Sequence, residues 1–153
     1  MSLNFATREI DSQPIVGIRA TTTMEAIKQV IGALFGEVME YLNGNGLAPA
    51  GMPFTIYHEM DAERLEMECG MPVASAVEGT ERVRPGELPA GKVATVTHMG
   101  PYEQLGQTWS ALMKWMEEEG LHAAGAPWEV YVTVPGEEPD PSKWRTDIFF
   151  PIR

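Results

Sequence analysis

Apolar residues recur at helical spacing in two places. Ile31, Phe35, Val38, Met39 and Leu42 form one stripe, and Leu105, Trp109, Leu112, Met113 and Met116 form another. The first predicts a helix over about residues 24–41, with Thr22 or Thr23 as its cap. The second predicts a helix over about residues 101–119, where Pro101 suits a first turn because its missing N–H would have had no partner there. Gly44 and Gly120 are the predicted stops. Stretches rich in β-branched residues predict a strand before each helix, over residues 15–20 and 92–97. Two further strands are predicted after each helix, over 54–59 and 63–71 in the first half and over 128–134 and 145–150 in the second.

The two halves are related. GLAPAGMPFTIY, from Gly46 to Tyr57, returns as GLHAAGAPWEVY, from Gly120 to Tyr131, at a constant spacing of 74 residues. Gly46, Leu47, Ala50, Gly51, Pro53 and Tyr57 all recur, and the same shift aligns the two helical stripes. Each half therefore reads strand–helix–strand–strand. The expected fold is α+β: two pseudo-symmetric repeats forming an antiparallel sheet, with helices on one face. The expected organisation is a single domain over 1–153, with repeat one over about 5–73, a Pro- and Gly-rich connector over about 74–91, and repeat two over about 92–153.

Strand alternation divides the polar residues between faces. With Trp128, Val130 and Val132 taken as the helix-facing set, Glu129, Tyr131 and Thr133 fall on the helix-free face. By the same reading Phe54 and Ile56 face the helix, while Thr55, Tyr57 and Glu59 do not. In the final strand, Arg145, Asp147 and Phe149 oppose Ile148 and Phe150. A face that collects carboxylates and aromatic rings suits an organic cation, since ring faces attract positive charge and a carboxylate supplies the counter-charge. Glu66 and Glu68 read as solvated. Glu129, lying between Trp128 and Val130 in a strand expected near the centre of the sheet, reads as the functional carboxylate.

Composition narrows the classes. An apolar share of 44% with 22% charged residues is ordinary for a globular chain, and no apolar run is long enough to span a bilayer. The N-terminus carries Glu9 and Asp11 where a signal peptide needs an apolar stretch, which points to the cytoplasm. Cys69 is the only cysteine, so no intramolecular disulfide can form, and its alternation with Leu65, Met67 and Met71 makes it a buried apolar residue. His58, His98 and His122 lack ligand spacing, so no metal and no cofactor is expected. His98, ending a strand beside Gly100, is expected to make a local hydrogen bond. Trp109 joins a core stripe and is expected to pack rather than to touch ligand. The net charge of −11 repels phosphate backbones, so direct nucleic-acid binding is not expected.

Three segments carry a resemblance: PAGKVATVTHMGPYEQL from Pro89, WSALMKWMEEEGL, and APWEVYVTVPGEEPDPSKWRTDIFFPI. The chain resembles the GyrI-like small-molecule-binding family, which includes the effector-binding domains of AraC-type and MerR-type multidrug regulators such as BmrR. The match covers almost the whole chain. The resemblance implies a ligand groove between the two halves, with the strand glutamate, here Glu129, as the anionic residue for cationic amphipathic compounds and aromatic rings lining the groove. Tyr102 and Trp144 are candidates by motif position, although strict alternation puts Trp144 on the helix side. Tyr57, Tyr131 and Phe149 join them by alternation. The chain shows no basic helix-turn-helix segment, so a stand-alone binder of a cationic or amphipathic drug-like molecule is expected, acting alone or with a regulator. Two alternatives follow from the resemblance. One is a hydrolase of cyclopropane-bearing or other reactive hydrophobic compounds, with Glu129 as general base and Tyr131 or Tyr57 as proton donor. The other is a modulator of DNA gyrase acting through protein contact.

Overall fold

The computed structural model describes residues 3–61, 63–133 and 137–153. Val134, the last residue of the strand predicted over 128–134, lies outside them. Among the described residues the secondary structure is α+β: eight strands, all paired antiparallel where their partners are given below, and two α-helices. The chain divides into two compact units, residues 11–90 and residues 1–10 with 91–153, here called the N-terminal and C-terminal units.

The N-terminal unit holds β2 (Gln13–Thr22), α1 (Ile27–Gly44), β3 (Phe54–Met60), β4 (Leu65–Pro72) and β5 (Arg84–Leu88). Its strands lie in the order β5-β2-β4-β3. Helix α1 packs on β4 and β2. Its buried stripe is Leu34, Val38 and Leu42, and the apolar face available to it is that of Val16, Ile18, Leu65, Met67 and Cys69, all buried. Asp61 closes the β3–β4 turn by accepting hydrogen bonds from the backbone N–H groups of Glu63 and Arg64 at 2.8 and 2.7 Å.

The C-terminal unit holds β1 (Ala6–Ile10), β6 (Gly91–Met99), α2 (Leu105–Glu118), β7 (Trp128–Tyr131) and β8 (Arg145–Pro151), in the strand order β1-β6-β8-β7. Leu112 and Met116 of α2 are buried on Ala94, Val96, Ile148 and Ile152. Phe5 stacks on Trp115 with ring centroids 5.4 Å apart, so the second tryptophan of α2 is also packed rather than available.

The repeat read from the sequence is present in backbone detail. Both helices end on a left-handed glycine, Gly46 at φ 67° and Gly120 at φ 70°. In each, the next leucine reaches back into the last turn: Leu47 N–H to Leu42 O and Leu121 N–H to Met116 O, both 2.8 Å. Then Ala50 N–H bonds Pro72 O, and Ala124 N–H bonds Pro151 O, again both 2.8 Å. Tyr57 stands opposite Met67, and Tyr131 opposite Thr146.

Several boundaries differ from expectation. Helix α1 begins at Ile27 after a single turn and runs through Gly44, so the stop is Gly46 and not Gly44. Thr23 Oγ1 accepts a bond from Ala26 N–H at 3.3 Å within that preceding turn. Pro101 is extended, at φ −63° and ψ 153°, and precedes a short 3-10 turn at Tyr102–Gln104. Strands β1 and β5 were not expected. β5 falls in the segment read as connector, and β1, although within repeat one by sequence, pairs with β6 in the C-terminal unit. Among the described residues no helix is long and apolar enough to cross a membrane.

Candidate functional site

The register of β7 overturns the face assignment made from its sequence. Glu129 stands opposite Ile148, and Ile148 opposite Val96. Directly opposed residues share a face, and Ile148 and Val96 belong to the cluster packed under α2. Glu129 and Tyr131 therefore lie on the helix-covered face. Trp128 stands opposite Phe149 and stacks on it at 5.5 Å, on the other face. Alternation was right and its phase was wrong. Trp128 and Val130 looked like the inward set because they are apolar, but Phe149 gives Trp128 an apolar partner on the helix-free side, where Val130 stands opposite Asp147. The same holds for β3, where Thr55 opposes Cys69 and Tyr57 opposes Met67, on the α1 side.

Glu129 is 2% exposed. One of its carboxylate oxygens, Oε1, accepts a hydrogen bond from the indole Nε1–H of Trp109 at 3.1 Å. Trp109 thus does two jobs. Its ring packs edge-on against Phe150 at 6.4 Å, as a core residue should, and its N–H holds the carboxylate. The first role was legible in the helical stripe. The second was not, because nothing in the stripe says which strand residue lies beneath an indole nitrogen.

Beside Glu129 the aromatic residues converge. The Tyr102 ring lies 5.9 Å from that of Tyr131 and 5.3 Å from that of Trp144. Its hydroxyl donates to Thr133 O at 3.4 Å. Burial holds the Tyr102 phenol above its ordinary pKa, and the negative charge of Glu129 adds to the effect. The phenol therefore senses Glu129 electrostatically. Trp144 is fixed by its own N–H, which donates to Glu138 O at 2.8 Å.

His98 sets this arrangement from behind. It is buried, with Nδ1 2.6 Å from Thr108 Oγ1 of α2 and Nε2 3.1 Å from Pro101 O. A carbonyl can only accept, so Nε2 carries a proton. The ring ties the end of β6 to the turn before Tyr102 and to the residue preceding Trp109, which is the local bonding expected of it.

Of the six residues singled out from the sequence, the structure groups Glu129, Tyr131, Tyr102 and Trp144. Phe149 faces away from Glu129, stacked on Trp128. On its face Asp147 is paired with Arg145, whose Nε donates at 2.9 Å. Tyr57 is buried in the N-terminal unit on the α1 face of β3. Glu68, read as solvated, is mostly buried, with its side chain 13% exposed and its Oε1 2.9 Å from His58 Nε2. Among the described residues no group of three His, Cys, Asp or Glu side chains is placed to hold a metal ion.

Glu129 is thus a buried carboxylate hydrogen-bonded to the Trp109 indole, with Tyr131 on the same face of β7 and Tyr102 packed against Tyr131. The chain belongs to the GyrI-like small-molecule-binding family, whose domain matches residues 4–153. No curated protein matches it. Among solved structures, the C-terminal domain of EcmrR is 25% identical with a TM-score of 0.87, covering 100% of this chain and 99% of that one. EcmrR in its DNA complex is 26% identical with the same TM-score of 0.87 and covers 99% of this chain, which spans 57% of the EcmrR chain. SAV2435 bound to tetraphenylphosphonium shares the fold at a TM-score of 0.67 and 14% identity, covering 98% of this chain and 94% of that one.

Proposed function

We propose that the chain binds an organic cation with an apolar, aromatic body, and that Glu129 is its anionic anchor. The observation that carries this reading is the buried Glu129 carboxylate held by Trp109 next to Tyr102, Tyr131 and Trp144. Aromatic faces and one desolvated carboxylate together select a delocalised cation over a neutral or anionic compound. The tetraphenylphosphonium bound to SAV2435 is a compound of this class. The binding event is read out by partner proteins, in the cytoplasm, and not by direct contact of this chain with nucleic acid. The net charge of −11 supports that part of the reading.

Calorimetry with tetraphenylphosphonium and with neutral triphenylphosphine oxide tests the proposal. Glu129→Gln keeps the shape and removes the charge. It is expected to weaken the cation by about 2–5 kcal/mol and to leave the neutral compound nearly unchanged. A variant that binds the cation as tightly as the parent ends the proposal.

A hydrolase is the second reading. The feature favouring it is a phenol, Tyr102, close enough to feel the charge of a buried carboxylate. In that reading Glu129 activates water and a phenol protonates the leaving group. Product analysis of a cyclopropane-bearing substrate decides it, and turnover surviving Glu129→Gln would remove it.

A further inference from the structure

Thr146 of β8 is fully buried, and among the described residues its Oγ1 has no hydrogen-bond partner. A buried hydroxyl left unpaired costs folding free energy, and native folds keep few of them. Thr146 lies two residues from Ile148 on one strand, so both face the cluster packed under α2. Across the ladder it stands between His98 of β6 and Tyr131 of β7. Glu129 stands opposite Ile148, which makes Thr146 its diagonal neighbour on the same face. Such neighbours are about 7–8 Å apart at the backbone, a spacing that a glutamate side chain and one ligand nitrogen can bridge. The Tyr131 and Tyr102 rings, with centroids 5.9 Å apart, lie beside the pair.

The fold does not account for this hydroxyl. Both ring nitrogens of His98 are taken, Nδ1 by Thr108 Oγ1 at 2.6 Å and Nε2 by Pro101 O at 3.1 Å. The repeat shows that no polar side chain is needed at this position. Tyr131 stands opposite Thr146, and its counterpart Tyr57 stands opposite Met67. Met67 is buried, so the same place in the same motif is filled by an apolar side chain. The neighbouring position differs as well. Where the C-terminal unit has Glu129, the N-terminal unit has Thr55, whose hydroxyl is paired with Cys69 Sγ at 3.6 Å. The C-terminal unit alone sets a buried carboxylate beside a buried, unpaired hydroxyl.

We propose that Thr146 is a specificity-determining residue of the cation site, selecting protonated primary and secondary amines: one N–H meets Glu129 and another donates to Thr146 Oγ1. This rests on Glu129 being the anionic anchor and narrows the ligand class. A carboxylate among aromatic rings attracts any organic cation, because neither net charge nor a ring face demands a hydrogen. A hydroxyl acceptor does demand one, and its bond to an ammonium N–H is charge-assisted. A quaternary ammonium or a phosphonium has no N–H to give and leaves Thr146 unpaired.

Calorimetry on the full chain with two matched probes tests this. 2-Naphthylmethylammonium carries three N–H groups, and its trimethylammonium counterpart carries none. Thr146→Val keeps the shape and removes the hydroxyl. It is expected to weaken the primary ammonium about tenfold more than the trimethyl compound. Thr146→Ser keeps the hydroxyl and is expected to discriminate between the probes as the parent does. Without ligand, Thr146→Val is expected to unfold at the same temperature as the parent or higher, since it removes an unpaired buried group. A lower unfolding temperature would mean that the fold uses the hydroxyl, and it overturns the proposal. So does a Thr146→Ser variant that behaves like Thr146→Val. If the parent binds the probes and Thr146→Val changes both alike, this proposal alone is overturned. If the parent binds neither probe nor tetraphenylphosphonium, the cation reading is overturned and this proposal with it.

Discussion

The Tyr102 phenol reports on the carboxylate beside it. Burial is the larger cause of its raised pKa, and the charge of Glu129 is the smaller one. Glu129→Gln should therefore lower the Tyr102 pKa part of the way toward its ordinary value, and ultraviolet titration of tyrosinate would show it. A bound organic cation should act in the same direction, because it cancels the same charge. An unmoved titration curve in the variant would mean that Glu129 and Tyr102 are not electrostatically coupled. Trp109→Phe tests the other contact. It keeps a ring against Phe150 and removes only the N–H, leaving the buried carboxylate one hydrogen bond short. That should cost about 1–3 kcal/mol of folding stability, measured by urea denaturation. A neutral outcome would show that the indole bond contributes packing alone. At this scale the sequence was informative about identity and poor about contact. Glu129 stood out because it interrupts an apolar strand. Its tie to Trp109 depends on how α2 is seated on β7, which no local pattern encodes.

At the scale of elements, strands and helices with strong periodicity were legible, and those at sheet edges were not. ATREI of β1 is almost wholly exposed, and RPGEL of β5 carries Pro85 and Gly86. Edge strands tolerate such residues because one side of their ladder is unpaired, so they send little signal. The phase of β7 was misread for the opposite reason. Trp128, Glu129 and Tyr131 are all buried, so both faces are covered and hydrophobicity no longer says which face is inward. The end of α1 offers a sharp test. Gly44 is helical with open space where a Cβ would stand, whereas Gly46 sits at φ 67° with equally open space. Crowding cancels from the comparison and only backbone preference remains. Gly44→Ala should stabilise the protein by up to about 1 kcal/mol, and Gly46→Ala should destabilise it by about 1–2 kcal/mol. Thermal unfolding should show shifts of opposite sign, each of a few degrees. Shifts of the same sign would place the helix end elsewhere.

The whole molecule carries a strong negative field, and the field makes a prediction of its own. The fold class was readable at this scale because a spacing of 74 residues preserved glycine, proline and tyrosine together, and those residues do the same structural task twice. Net charge was readable too, but its placement was not. Arg19 and Arg84 are 65 positions apart in sequence, yet both flank Gly17 on the sheet. A net charge of −11 repels a duplex that carries one negative charge per about 1.7 Å, and no counterions are released without basic contacts. The chain should therefore show no salt-dependent binding to duplex DNA at micromolar concentration in low salt. The same field should speed the approach of organic cations and slow that of anions, and raising the salt should weaken both effects. Stopped-flow association of tetraphenylphosphonium should accordingly slow as ionic strength rises. Glu129→Gln changes one buried charge among many, so it should shorten the cation's residence time far more than it alters the salt dependence of its arrival. If instead the salt dependence vanishes in that variant, the steering comes from Glu129 itself, and the acidic surface has no part in recognition.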